Sequence, residues 1–124
     1  MNKILIVDDE NSVQFLYERV FKKEVNSGEM TLLFSSSGEE ALDVIKSNTD
    51  LSLIISDINM PGLSGFELLQ EVKDLHPSLP IYMSSAYSDT ERQSLARDLG
   101  ADDYIVKPVD FDSLKEKIRK VLEA

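Results

Sequence analysis

Two stretches of this 124-residue sequence place acids where chemistry could use them: Asp8 and Asp9 run directly into Glu10, and Asp57 follows the apolar run 53–56. Adjacent carboxylates repel one another, and they stay ionised together when a hard divalent cation offsets their charge. Mg2+ suits such a set, because it takes one or two carboxylates and leaves its other positions to water and phosphate oxygens. A carboxylate is also a competent nucleophile toward phosphorus, so Asp57 could accept a phosphoryl group and form an aspartyl phosphate. Lys107, directly before Pro108, could meet a phosphoryl oxygen or a carboxylate as a compact point charge, and the Ser85 hydroxyl could donate to the same oxygens. Each has a plainer reading when taken singly. The acids at 8–10 also suit the positive end of a helix beginning near Ser12, Asp57 suits a turn before Pro61, and Lys107 suits an ordinary surface lysine.

Chemistry of this kind needs the acids brought together, which is a question of elements. The runs 3–7, 53–56, 81–85 and 104–106 are short, apolar and closed by polar residues, with 31–34 a weaker example. They are predicted as buried strands, since strands covered on both faces lose polar alternation. Between them the apolar spacing turns helical: Val13, Leu16, Val20 and Phe21; Ala41, Leu42 and Ile45; Phe66, Leu69 and Val72; Leu95 and Leu99; Leu114, Ile118, Val121 and Leu122. Ser37 with Glu40, and Ser88 with Glu91, have the form of capping boxes, and Asp112 suits the start of the last helix. Gly28, His76 followed by Pro77, and Gly100 read as stops. Five strands alternating with five helices imply an α/β, doubly wound, parallel sheet with right-handed crossovers. Ligands in such sheets sit beyond the carboxyl ends of the strands. Asp8, Asp9, Asp57, Ser85 and Lys107 each close a predicted strand, and that joint placement is far more specific than any one of them.

Composition bounds the rest. The length suits one domain over residues 1–124, with no output module expected. No apolar run approaches the ~20 residues of a membrane helix and the N-terminus lacks a signal peptide's pattern, so a cytoplasmic location is expected. The absence of cysteine excludes disulfides, thiolate metal sites and a cysteine nucleophile. A formal charge of −10 argues against direct contact with nucleic acid or an anionic membrane.

At this point the sequence resembles the receiver domains of two-component response regulators, a family with a flavodoxin-like fold that includes the single-domain chemotaxis regulator. The resemblance spans nearly the whole chain through ILIVDDE (4–10), SSGEEAL (36–42), LIISDINMPGLSGFELL (53–69), PIYMSSAY (80–87) and GADDYIVKP (100–108). By motif position it implies Asp57 as phosphoacceptor, and Asp9, Asp57 and the Asn59 carbonyl as direct Mg2+ ligands, with Asp8 acting through a metal-bound water. It further implies Ser85 as the switch hydroxyl, Ala86 as the small residue beside the phosphoryl group, Lys107 as the family's lysine before a usually cis Pro108, and Tyr104 as the aromatic switch residue. Tyr104 equally suits a half-buried core aromatic. Ser85 replaces the commoner threonine, and Val109 stands where many relatives have phenylalanine.

The resemblance also implies a donor, a histidine kinase or phosphotransfer protein, and a downstream effector or C-terminal output domain. Self-phosphorylation and self-dephosphorylation at Asp57 would be the only chemistry. Partner faces in the family are built from the fourth helix, fifth strand and fifth helix, and one branch dimerises there on phosphorylation through charged pairs. Asp103 and Lys117 suit such a pair, whereas Ser113 stands where an acid is expected. Rival readings meet specific obstacles. A phosphatase of the haloacid dehalogenase type needs a second acid where Asn59 stands, and a flavodoxin needs a hydroxyl-rich loop where Asp8, Asp9 and Glu10 stand. A receiver that takes no phosphate and serves only as an interaction module would not need the complete acid set.

Overall fold

The computed structural model describes residues 2–86 and 90–123. Their order is β1 (Asn2–Val7), α1 (Asn11–Val20), α2 (Lys22–Asn26), β2 (Met30–Ser35), α3 (Gly38–Ser47), β3 (Leu51–Asp57), α4 (Gly65–Leu75), β4 (Ile81–Ser85), α5 (Thr90–Asp98), β5 (Asp103–Val106) and α6 (Phe111–Glu123). The strands form one sheet in the order β2-β1-β3-β4-β5, and every pairing is parallel. Strand order reverses between β1 and β3, so the carboxyl ends of these two strands flank the crevice where such sheets bind ligands.

The apolar runs lack alternation because the central strands bury both faces. Leu5, Val7, Ile54 and Met83 pack on one side against Ala41, Ile45, Leu68, Leu69, Val72 and Ala96. Ile4, Ile6, Leu53, Ile55 and Tyr82 pack on the other against Tyr17, Phe21, Leu114 and Ile118. Successive strand side chains point to opposite faces, which is why Leu53 and Ile54 serve different layers.

Several expectations need correction. Among the described residues there are six helices rather than five, because the first helical stretch breaks at Phe21 (φ −101°, ψ 14°) and continues as α2. Phe21 is buried and fixes the chain against the sheet while the backbone changes direction. The buried row of α1 passes through Val13, Tyr17 and Phe21 at a spacing of four, and Leu16 is 44% exposed. Tyr17 takes the place expected for Leu16 because its ring stacks near Phe21 and meets Phe111 edge-on. Leu95 in α5 is likewise exposed, and Ala96 is buried instead.

Ser37 caps α3 by accepting the Glu40 N–H at 3.1 Å, but the Glu40 carboxylate takes the Ser36 hydroxyl, so this box is half formed. A complete capping box is formed by Ser64 and Glu67 at the start of α4. Asp110 rather than Asp112 serves α6, its carboxylate accepting the Ser113 N–H at 3.3 Å, because Asp112 already lies inside the first turn. The pairing of Ser88 with Glu91 lies outside the described residues. Gly28 and Gly100 stop their segments with φ of +82° and +101°, and His76 ends α4 before Pro77.

Candidate functional site

Parallel pairing delivers the candidate residues to one edge. The Asp8 N–H donates to the Ser35 carbonyl at 3.1 Å, extending the β1–β2 ladder one residue past β1 and fixing where the acids emerge. Asp57 ends β3 opposite Ser84, and the next N–H, of Ile58, donates to the Ser84 carbonyl at 2.9 Å. Carboxylate oxygens of Asp8, Asp9 and Asp57 lie within 4.8 Å of one another. Asp8 and Asp57 have largely buried side chains and Asp9 is open to solvent. Lys107 follows β5, its N–H donating to the Ser85 carbonyl at 2.8 Å, and its Nζ lies 2.8 Å from Asp8 and 3.5 Å from Asp57. The Lys107–Pro108 peptide bond is cis.

Charge in this cluster is unbalanced. Burial pushes the Asp57 carboxyl above its usual range, and Asp8 and Asp9 push the same way against the opposing pull of Lys107 and the Asn59 N–H. Burial would lower Lys107, but its contact with Asp8 and the fields of Asp57 and Glu10 outweigh that and leave it raised. A single ammonium facing three converging carboxylates leaves a site that favours added positive charge. The donors are all oxygen and hard, which suits Mg2+ and not a thiolate- or imidazole-seeking metal.

The other expected residues surround this cluster. Asn59 is exposed, donating its N–H to Asp57 Oδ1 at 3.3 Å and its side-chain amide to the Ser85 hydroxyl at 3.4 Å. Ser85 is fully buried at the end of β4, and Ala86 follows it at the surface. Tyr104 pairs in register with Met83, two residues before Ser85, and is half-buried against the layer formed by α3, α4 and α5. Asp103 and Lys117, expected as halves of an interchain pair, meet within this chain at 2.7 Å.

Two features escaped the sequence reading. At Gly65 a Cβ would lie 2.3 Å from the Asp57 carbonyl oxygen, so only glycine lets α4 begin against the acceptor's own backbone. An apolar cavity of about 240 Å³ opens beside Asp57 and Lys107, walled by Val13, Leu16, Tyr17, Val109 and Phe111. The sequence carried no signal for the cavity, since Leu16, one of its walls, reads there as part of the α1 core row.

The sequence pattern of the family described as response regulator receiver domain matches residues 4–119. This chain belongs to that family. Phosphorylation on an aspartate is the standard function of a receiver domain, and receiver domains generally bind Mg2+ at an acidic cluster. The receiver is 33% identical over 121 residues to sporulation initiation phosphotransferase F of Bacillus subtilis, covering 97% of this chain and 93% of that protein. It is 36% identical over 107 residues to the DNA-binding transcriptional regulator NtrC of Klebsiella pneumoniae, covering 86% of this chain but 22% of that protein. The chain thus spans less than a quarter of that regulator's length. Among solved structures, a CheY-like receiver from Methanospirillum hungatei superposes with a TM-score of 0.89 at 29% identity, covering 99% of this chain and 94% of that one. The response regulator TrrA of Thermotoga maritima, in complex with Mg2+ and BeF, superposes at 0.81 with 35% identity, covering 98% and 99%.

Proposed function

We propose that this receiver, one domain over residues 1–124, accepts its phosphoryl group on Asp57 from the phosphohistidine of a kinase or phosphotransfer protein. The observation that carries the reading is the meeting of three carboxylates within 4.8 Å at the end of β3, with Lys107 reaching two of them. An Asp57 oxygen bonds to phosphorus as the donor's P–N bond breaks and its electron pair returns to the imidazole. Hydrolysis later cleaves the acyl phosphate and restores the carboxylate. Asp9, Asp57 and the Asn59 carbonyl, with Asp8 alongside, would hold Mg2+, which when bound would supply the positive charge that the incoming phosphoryl group requires. The chain's own part is positioning and charge: Lys107 faces the acceptor, and the buried Asp57 has little water to shed.

The apolar cavity between α1 and the loop after β5 supports docking of the donor beside Asp57. Ser85 and Lys107 would follow the new phosphate, and their movement would change the surface around Tyr104, shifting the population toward an active form. An effector protein or an attached output domain would read that surface. No helix among the described residues is long and apolar enough to cross a membrane, and the reading carries a cytoplasmic location with it. The test is intact-mass analysis after incubation with acetyl phosphate and Mg2+. The wild type is expected to gain one phosphoryl group, and Asp57→Asn, or wild type with the metal chelated, none. Equal labelling of Asp57→Asn would refute the assignment.

A further inference from the structure

We infer that Glu39, in the first turn of α3, is a positioning residue that latches the acceptor loop 58–64 and thereby sets the site's affinity for Mg2+. The inference rests on the assignment of Asp57 and Asn59 above. The loop is already tied at its root, where the Gly65 N–H donates to the Ile58 carbonyl at 2.9 Å, and at its end by the Ser64 capping box. Between these ties its middle is held from outside. Gly62 takes φ +75°, a left-handed turn, and the next N–H, of Leu63, donates to Glu39 Oε1 at 3.1 Å. The same carboxylate lies where a Cβ on Gly62 would fall 2.8 Å from its Oε2. Gly38, the neighbour of Glu39, fits closely against Leu63, and a Cβ there would lie 2.7 Å from the Leu63 carbonyl oxygen. The first turn of α3 therefore grips the loop at 62–63, three and four residues after Asn59.

A metal ligand supplied by a loop binds well only if the loop is already in place, because ordering it on binding subtracts from affinity. The Glu39 carboxylate is engaged by the Leu63 N–H, in the loop, and not by a ligand of the acid cluster. Its effect is thus expected through the loop, and it is modest, since both partners are open to water.

The experiment compares wild type, Glu39→Ala and Glu39→Gln. Mg2+ affinity is measured by calorimetry, amide exchange at Leu63 by NMR on metal-free protein, and labelling by acetyl phosphate. Glu39→Ala is expected to speed exchange at Leu63 and weaken Mg2+ binding on the order of fivefold, the scale of one partly exposed hydrogen bond. Labelling at saturating Mg2+ should be nearly that of wild type. Glu39→Gln keeps an acceptor oxygen but loses the charge, and it is expected to restore both quantities most of the way. If Glu39→Gln weakened Mg2+ as much as Glu39→Ala, the effect would be plain electrostatics and the latch would be wrong. Unchanged Mg2+ affinity in both variants would also overturn it. Wild type that neither bound Mg2+ nor took label would instead sink the assignment of the site, and the latch's function with it, whatever Leu63 showed.

Discussion

Asp9 is the solvent-facing member of the acid cluster, so its substitution separates metal binding from folding better than any other. Asp9→Ala is expected to weaken Mg2+ at least tenfold in a calorimetric titration, while the metal-free protein melts no lower than wild type, since a repelling charge leaves with the ligand. Unaltered Mg2+ affinity would remove Asp9 from the ligand set. Tyr17 offers a pH test of a buried group near the site. Burial first, and the Asp8 charge second, hold its hydroxyl well above the ordinary 10.0. A raised folded value means the neutral form is favoured by folding, so this stability is intact below pH 10.0 and is lost as pH climbs above it. Tyr17→Phe should therefore lose less stability than wild type in urea melts taken above pH 10.0 than at pH 7. Residues of this kind differ in how openly the sequence displays them. Asp8, Asp9, Asp57 and Lys107 stand at the ends of apolar runs, where a charge is conspicuous. Glu39 is one of many exposed acids, and Gly65 acts through the atoms it lacks, so neither announces its role in one dimension.

In the proposed function two elements carry the consequences of phosphorylation outward: β4, ending at Ser85, and β5, ending just before Lys107. Lys107→Ala should still allow labelling, because the acceptor ends β3 and the other two acids follow β1, but it should uncouple the Tyr104 face. Losing a charge-assisted contact to phosphate removes about 1.5–3 kcal/mol of differential affinity, or roughly a 10-fold to 100-fold loss of coupling. Amide NMR shifts around Ser85, Tyr104 and α6, with and without beryllofluoride, measure this in both proteins. Full wild-type shifts at Tyr104 in a variant that binds the mimic would show that Lys107 is not the coupling residue. Gly65→Ala addresses the start of α4. Its Cβ would strike backbone rather than a movable side-chain end, so a cost of about 3 kcal/mol is expected in urea melts, with slower labelling. At this scale the strands were legible within one or two residues, because a doubly covered strand has to be continuously apolar. The phase of α1 and its break into α2 were not. Leu16 and Tyr17 are adjacent and both apolar enough for a core row, and nothing but the packing of Tyr17 on Phe21 and Phe111 chooses between them. No glycine or proline marks the break at Phe21.

For the molecule as a whole, a formal charge of −10 sets two copies against each other, and Asp103 and Lys117 already satisfy one another within a chain. The unphosphorylated protein is therefore expected to sediment as a monomer at micromolar concentration, and a dimer without any phosphoryl mimic would contradict this. A dimer formed with beryllofluoride through this face would have to exchange the internal pair for an external one. The bond from Lys107 to Asp8 joins residues 99 apart in sequence. Closing so long a separation requires that β1, β3, β4 and β5 be already aligned, since such non-local contacts are reached only after loop-closure entropy has been met. A nascent or half-refolded chain in which β1 and β3 are not yet paired accordingly holds Asp8 and Asp9 apart from Asp57 and, on the proposed function, is deaf to the phosphodonor. During refolding from urea, competence to take label should appear together with the native near-ultraviolet signal and not ahead of it. Signalling through this domain is then confined to molecules that have finished folding, without any separate device to inspect them.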